Sequence, residues 1–171
     1  SKYLIYMGSY PRYKNVEFLI KSMALLPDKT LVLLSRLGDK KRRKLTKLAN
    51  SVGAKVQFEN GVTDAEYLVW LGKAFGLVRA SKDEGCGVAF VEAMSQGLPV
   101  IVSEIPIFQE VAGNAGVFFD NSKPEEFVAG VIKLSEKRTW SSYSKKALQQ
   151  SAKFSWKHST QELLASLREI A

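Results

Sequence analysis

The stretch Gly76-Leu77-Val78-Arg79-Ala80-Ser81-Lys82-Asp83-Glu84-Gly85-Cys86-Gly87-Val88-Ala89-Phe90-Val91-Glu92-Ala93-Met94, continuing through Gly97-Leu98-Pro99 to Val100-Ile101-Val102, holds one complete folding unit. A short, mostly aliphatic run at Gly76–Ala80 suits a strand buried on both faces. Two glycines then flank Cys86 immediately before a helical stretch, and Val100–Val102 returns as a second strand. Strand, glycine turn, helix and strand in that order predict a parallel pair joined by a crossover helix.

The same alternation extends in both directions. Further short apolar runs lie at Leu4–Gly8, Leu31–Leu34, Val56–Phe58 and Gly116–Phe119. Between them, Val16, Leu19, Ile20, Met23 and Ala24 fall at helical spacing, as do Leu45, Leu48, Ala49 and Val52. Thr63-Asp64-Ala65-Glu66 has the form of a capping box opening a helix that carries Leu68, Leu71 and Phe75. Ser122 with Glu125 three residues on reads as another, followed by Phe127, Val131 and Leu134. Phe154 ends the preceding helical stretch, and Ser155 is the cap expected for a last helix with the stripe Leu163, Leu164, Leu167 and Ile170. Strand and helix alternating about six times predict an α/β fold. It is a single Rossmann-like, doubly wound parallel sheet of about six strands with helices on both faces. One domain fills residues 1–171, with no repeat and no linker. In such sheets ligands bind beyond the carboxyl ends of the strands, here the loops after Gly8, Leu34, Phe58, Ala80 and Val102.

Composition narrows the class. A chain of 171 residues with 46% hydrophobic content suits one globular domain. No apolar run approaches the ~18 residues of a membrane-spanning helix, and no signal peptide is expected. The single cysteine, Cys86, excludes an internal disulfide and a cysteine-based zinc cage. The net charge of +8 is concentrated: Arg36, Lys40, Lys41, Arg42, Arg43, Lys44 and Lys47 stand in one segment with the single acid Asp39. Most of that segment reads as lying on, or just before, one helix's solvent face. Its bases lack interleaved aromatics, which argues against sequence-specific nucleic-acid readout.

The chemistry-bearing residues cluster at the glycine turn. Glycines there let backbone approach a ligand, and free N–H groups at the helix start favour an anion. Glu84 on the loop and Glu92 about one turn into the helix place two carboxylates near one polyhydroxylated ligand. Glycine-rich turns are also common without a ligand, so on spacing alone a plain turn and a phosphate site both stay open. A Cys86–His158 nucleophile pair is disfavoured, because His158 lies in the last helix. Asp64-Ala65-Glu66 is better explained by the capping box than by a metal.

Taken together, Glu84-Gly85-Cys86-Gly87-Val88, Glu92-Ala93-Met94 and Gly97-Leu98-Pro99-Val100-Ile101 resemble the signature of the family 4 retaining glycosyltransferases. In that signature two glutamates are separated by seven residues, as Glu84 and Glu92 are. Glu110-Val111-Ala112-Gly113, Phe154-Ser155-Trp156, and Tyr6-Met7-Gly8 through Lys14-Asn15 are also similar, so the resemblance covers essentially the whole chain. It implies the C-terminal, donor-binding half of a GT-B enzyme, with the N-terminal acceptor domain absent. Because the chain opens on the first strand without an initiator methionine, the expectation is an excised domain, inactive alone.

The resemblance further implies that Glu84 contacts the donor sugar and Glu92 the ribose hydroxyls. The turn Gly85, Cys86, Gly87 and Val88 would offer N–H groups to sugar or diphosphate. Asn60, Gly61 and Val62 would meet the nucleobase through backbone. Family members carry an Arg after the glycine of the first strand and a Lys five residues on, which stabilise the leaving diphosphate. Here Gly8 is followed by Ser9, the Lys is Lys14, and Arg12 is the candidate replacement. Glu84, Lys14 and Arg12 are thus the expected catalytic residues, and Cys86 stands where an aromatic is usual. No metal and no cofactor are implied, since the nucleotide sugar, UDP- or GDP-linked, is a substrate.

The implied function is retaining transfer of a hexose, mannose or glucose, to a glycan or lipid acceptor. The expected location is the cytoplasm, with an anionic membrane surface as a further partner and no specific nucleic acid. Two other readings stay open at this level. One is a non-catalytic basic module docking on anionic membranes; the other is a sugar-nucleotide epimerase or phosphorylase of the same architecture.

Overall fold

In the computed structural model the six apolar runs pair as one all-parallel sheet in the order β3-β2-β1-β4-β5-β6. The structure describes residues 1–170, with side chains described for all of these except 156–159, 162, 169 and 170. The strands are β1 (Tyr3–Tyr6), β2 (Thr30–Leu33), β3 (Val56–Phe58), β4 (Gly76–Arg79), β5 (Val100–Ser103) and β6 (Gly116–Phe119). The helices are α1 (Val16–Met23), α2 (Asp39–Val52), α3 (Asp64–Lys73), α4 (Val88–Ser95), α5 (Pro106–Ala112), α6 (Pro124–Ser135), α7 (Lys137–Ser151) and α8 (Trp156–Ile170). A one-turn 3-10 helix at Arg12–Lys14 precedes α1.

Alternation along each strand divides the interior into two cores. Leu4, Tyr6, Leu31, Leu33, Val78, Ile101 and Phe119 meet α1, α2 and α6 on one face. Ile5, Val32, Leu77, Val100 and Val102 meet α3, α4, α5 and α7 on the other. The expected burial on both faces holds for the central strands. It fails for β3, an edge strand whose three residues are only half-buried.

Three local expectations are corrected. On α3 the core positions are Tyr67 and Leu71, whereas Leu68 is 55% exposed and Phe75 lies beyond the helix. Tyr67 takes the inward place expected of Leu68, because it reaches α4 and its hydroxyl donates to the Ala89 carbonyl at 3.2 Å. The capping box at Ser122 and Glu125 is not made. Pro124 opens α6, and Lys123 holds the N-cap position without a side-chain bond. Ser122 turns back to Asp120 Oδ1 at 2.6 Å, and Glu126 accepts from the Asp120 amide at 2.8 Å. On α8, Leu163, Leu164 and Leu167 are exposed rather than packed. Ile170 of that stripe lies outside the residues with described side chains.

The Thr63 capping box is formed, with Thr63 Oγ1 accepting from the Glu66 amide and Glu66 Oε2 from the Thr63 amide. Connections run from β1 outward to β3 and from β4 outward to β6, so the strand order reverses between β1 and β4. That reversal is the switch point, where the loops after Tyr6 and Arg79 come together beyond the strand ends and where ligands bind in sheets of this kind.

Candidate functional site

The switch point between β1 and β4 holds an ion cluster built around Glu84. Lys14 Nζ lies 2.5 Å from both Glu84 oxygens. Arg79 Nη2 donates to Glu84 Oε1, and Ser81 Oγ donates to the same oxygen at 2.7 Å. The side chains of Lys14, Arg79 and Glu84 are 9%, 3% and 6% exposed. Burial alone would raise the Glu84 carboxyl; hydrogen bonds from Lys14 and Ser81 and the charge of Arg79 outweigh it and hold the carboxyl below its usual value.

Local sequence explains how these groups converge. Asn15 adopts the left-handed conformation at φ 53° between the 3-10 turn and α1, which folds Lys14 inward. The Lys82 amide donates to the Tyr13 carbonyl at 2.8 Å, tying that turn to the loop after β4. Gly8 (φ 151°) holds a backbone conformation that side chains rarely adopt, and an added Cβ would press at 3.3 Å on Arg79 Nη1 and the Tyr6 hydroxyl. Arg79 Nη1 donates to the Met7 carbonyl at 2.8 Å, joining the ends of β1 and β4.

The glycine turn behaves as its sequence requires. Gly87 is the N-cap of α4 in the left-handed region, and an added Cβ would overlap the buried ring of Phe90. The first N–H groups of α4 have no partner within the helix, so the turn presents a partial positive charge. Gly85 and Cys86 are exposed on it, Gly87 is half-buried and Val88 is exposed. Cys86 is a free thiol. The side chain of His158 is outside the described set, so the Cys86–His158 arrangement lies there too.

Glu92 projects from α4 and is exposed. Partial burial and then the nearby Asp64 carboxylate raise its carboxyl above the usual value. Asn60 Oδ1 accepts from the Leu37 amide at 3.0 Å, and Gly61 (φ 91°) lies under the Arg36 side chain. Val62 packs on the second core.

The structure thus joins Lys14 to Glu84 and sets Gly8 beside them, but it does not bring Arg12 to the cluster. Arg12 is exposed and lines a groove of about 480 Å³ with Tyr10, Tyr13, Lys41, Lys44 and Lys82. Ser9 is exposed too, its carbonyl accepting from the Tyr6 hydroxyl at 2.5 Å. The second cation on Glu84, beside Lys14, is Arg79, which sequence reasoning missed. The available signal was a lone charge at the end of the apolar run Gly76–Ala80, where a buried Arg requires a partner.

Chemically, two buried cations against one carboxylate leave a local excess of positive charge beside a helix N-terminus. That arrangement accepts an anion such as a diphosphate. Among the described residues no group of three or more His, Cys, Asp or Glu is placed to hold a metal ion. Among them also, no helix is long and apolar enough to cross a membrane.

Comparison with known proteins places this architecture. The sequence profile of the family described as glycosyl transferases group 1 matches residues 1–153. The chain is 31% identical over 133 residues to the O-antigen chain mannosyltransferase RfbU of Salmonella typhimurium, covering 77% of this chain and 37% of that protein. It is 27% identical over 170 residues to the O-antigen chain mannosyltransferase B of Escherichia coli, covering 95% and 44%. The chain therefore spans less than half the length of these relatives. In fold it is similar to the Anabaena protein HepE, solved in complex with UDP-glucose, with a TM-score of 0.88 and 17% identity over 98% of this chain and 49% of that one. The matched region runs from β1 through α7 and takes in the Glu84 cluster, the Gly87 turn and Glu92, and the chain belongs to the glycosyl transferases group 1.

Proposed function

We propose that the chain binds a nucleoside-diphosphate sugar at the switch point between β1 and β4, as the donor half of a retaining glycosyltransferase. One observation carries this reading: a buried Lys14–Glu84–Arg79 cluster with excess positive charge at the switch point, beside the α4 N-terminus. The diphosphate lies against Lys14 and the Gly85–Val88 amides, Glu92 takes the ribose hydroxyls, and the base meets the Asn60–Val62 backbone. Glu84, held by Arg79 and Ser81, is the carboxylate at the sugar. The mannosyltransferase relatives support a hexose, mannose or glucose, passed to a glycan or lipid acceptor. The UDP-glucose in the HepE structure supports a nucleoside-diphosphate sugar as donor, UDP-linked there; a GDP-linked donor is the other candidate.

In this reading charge growing on the departing diphosphate is stabilised by Lys14 and the α4 amides. Removing one such preorganised partner costs about 10²–10³ in rate. In this reading the acceptor site lies outside residues 1–171, so these residues by themselves transfer little. Calorimetric titration with UDP and GDP tests the reading: Lys14→Ala should weaken diphosphates more than nucleosides, and Glu92→Ala should weaken both. If neither nucleotide binds at millimolar concentration, the reading fails. Transfer is favoured over epimerisation by the family match, and acceptor-independent turnover would contradict it.

A second reading concerns α2, whose Lys40, Arg42, Arg43 and Lys47 are exposed. Lys41 and Lys44 are engaged by Glu17 of α1, at 3.6 and 2.9 Å. The outer four form a face suited to an anionic membrane surface on the cytoplasmic side, each contributing about 1 kcal/mol near such a surface. Cosedimentation with anionic vesicles that persists after charge reversal at all four would remove it.

A further inference from the structure

Arg79 and Lys14 both hold Glu84, but they are held differently themselves. The Arg79 guanidinium is gripped from two sides, by the Met7 carbonyl at the end of β1 and by Glu84. It also stands 5.6 Å from the Tyr6 ring, and its Nε is buried without a hydrogen-bond partner among the described residues. A planar group anchored this way inside a strand end has nowhere to turn. Lys14 instead rises from a one-turn helix on a flexible four-carbon stem, with its Nζ 5.1 Å from the Tyr13 ring. One carboxylate needs one counter-ion, and this one has two.

An anion arriving at the switch point competes for whichever cation can leave. If Lys14 turned away from Glu84 with nothing else there, a buried carboxylate would be stranded, and such a step is strongly unfavourable. We infer that Arg79 is a positioning residue that acts through Glu84: it remains as the fixed counter-ion, which frees Lys14 to pass from the Glu84 carboxylate to the diphosphate of an entering ligand. The inference rests on the donor-site reading above. Ser81 assists by keeping its hydrogen bond to the Oε1 that Arg79 holds. No bond is made or broken, and Lys14 exchanges one anionic partner for another.

The test is a double-mutant cycle read as UDP and GDP affinity, with no sugar present. In the wild-type background K14M should weaken binding about 10- to 100-fold, the range for a hydrogen bond to a charged group. R79M should by itself weaken binding about tenfold or more, and K14M added to it should cost less than about threefold, since coupled residues are non-additive. In E84Q/R79M no carboxylate retains Lys14, so affinity should return to within about threefold of wild type. Removing both members of a buried pair is better tolerated than removing one, so this variant serves if R79M does not fold. Additive losses for K14M and R79M overturn the inference, because a residue acting only on stability or directly on the ligand gives additivity. Weak binding by folded E84Q/R79M overturns it as well. If the wild-type chain binds neither nucleotide, the donor-site reading falls and this inference falls with it.

Discussion

Lys14 and Glu84 lie seventy residues apart in sequence, and the Lys14 ammonium contacts both oxygens of the Glu84 carboxylate at 2.5 Å. The contact spans the point where the strand order reverses, joining the loop after β1 to the loop after β4. With Arg79 on the same carboxylate, the cluster links both halves of the sheet.

Breaking that cluster from its centre should be costly. Glu84→Leu leaves two buried cations facing each other, and a loss of about 3–5 kcal/mol is expected. Glu84→Gln keeps an acceptor for both donors and should cost less. Urea unfolding measures the two. A Glu84→Leu cost under ~1 kcal/mol, the range of an exposed pair, would contradict the burial of the cluster.

The acid response should carry the same signature. Glu84 titrates below its usual 4.5 in the folded chain. Its stabilisation is therefore complete above that pH and is lost as pH falls through the lower, folded value. Urea midpoints measured from pH 6 to pH 3 should fall less steeply for Glu84→Gln than for wild type. Parallel profiles would contradict the assignment. Glu92 has the opposite sign, because its carboxyl is raised: its contribution is lost as pH rises.

Gly87 and Gly53 both adopt positive φ, at 80° and 72°, but only Gly87 has a neighbour where a Cβ would go. Gly53→Ala should cost only the backbone term, about 1–2 kcal/mol. Gly87→Ala adds overpacking against Phe90, a further ~1–3 kcal/mol, and should shift the start of α4. Thermal unfolding distinguishes them, and equal losses would refute the close approach at Gly87.

The two sequence-level capping boxes give an internal comparison. Thr63→Ala removes a formed cap and should cost about 1 kcal/mol. Ser122→Ala removes only a turn contact to Asp120 and should stay within about 0.5 kcal/mol. Equal costs, read from urea midpoints, would show that Ser122 caps α6 after all.

Much of this molecule is readable from its sequence because its signals are local. All six strands lie where short aliphatic runs place them, and Thr63 with Glu66 marks the start of α3 correctly. The errors arise where tertiary contacts decide. Leu68 fits a helical stripe as well as Tyr67 does, and the reach of the Tyr67 hydroxyl to α4 settles which faces inward. Ser122 and Glu125 have capping spacing, yet Pro124 and the Asp120 turn start the helix another way. In the site, glycine spacing locates the turn and the two glutamates. Arg79 stands only five residues before Glu84, and its one sequence signal is a charge closing an apolar run. That Lys14 reaches the same carboxylate depends on β4 lying beside β1, which nothing near Lys14 in sequence reveals.

The central claim is that the switch point between β1 and β4 holds a nucleoside diphosphate, and mapping the bound nucleotide by NMR tests it most directly. Titrating the isotopically labelled chain with UDP or GDP should move the amide signals of Gly8, Lys14, Gly61 and Gly85 through Val88, with a saturable dependence that Lys14→Met weakens. Shifts confined to the basic face of α2, or insensitive to Lys14→Met, would contradict it.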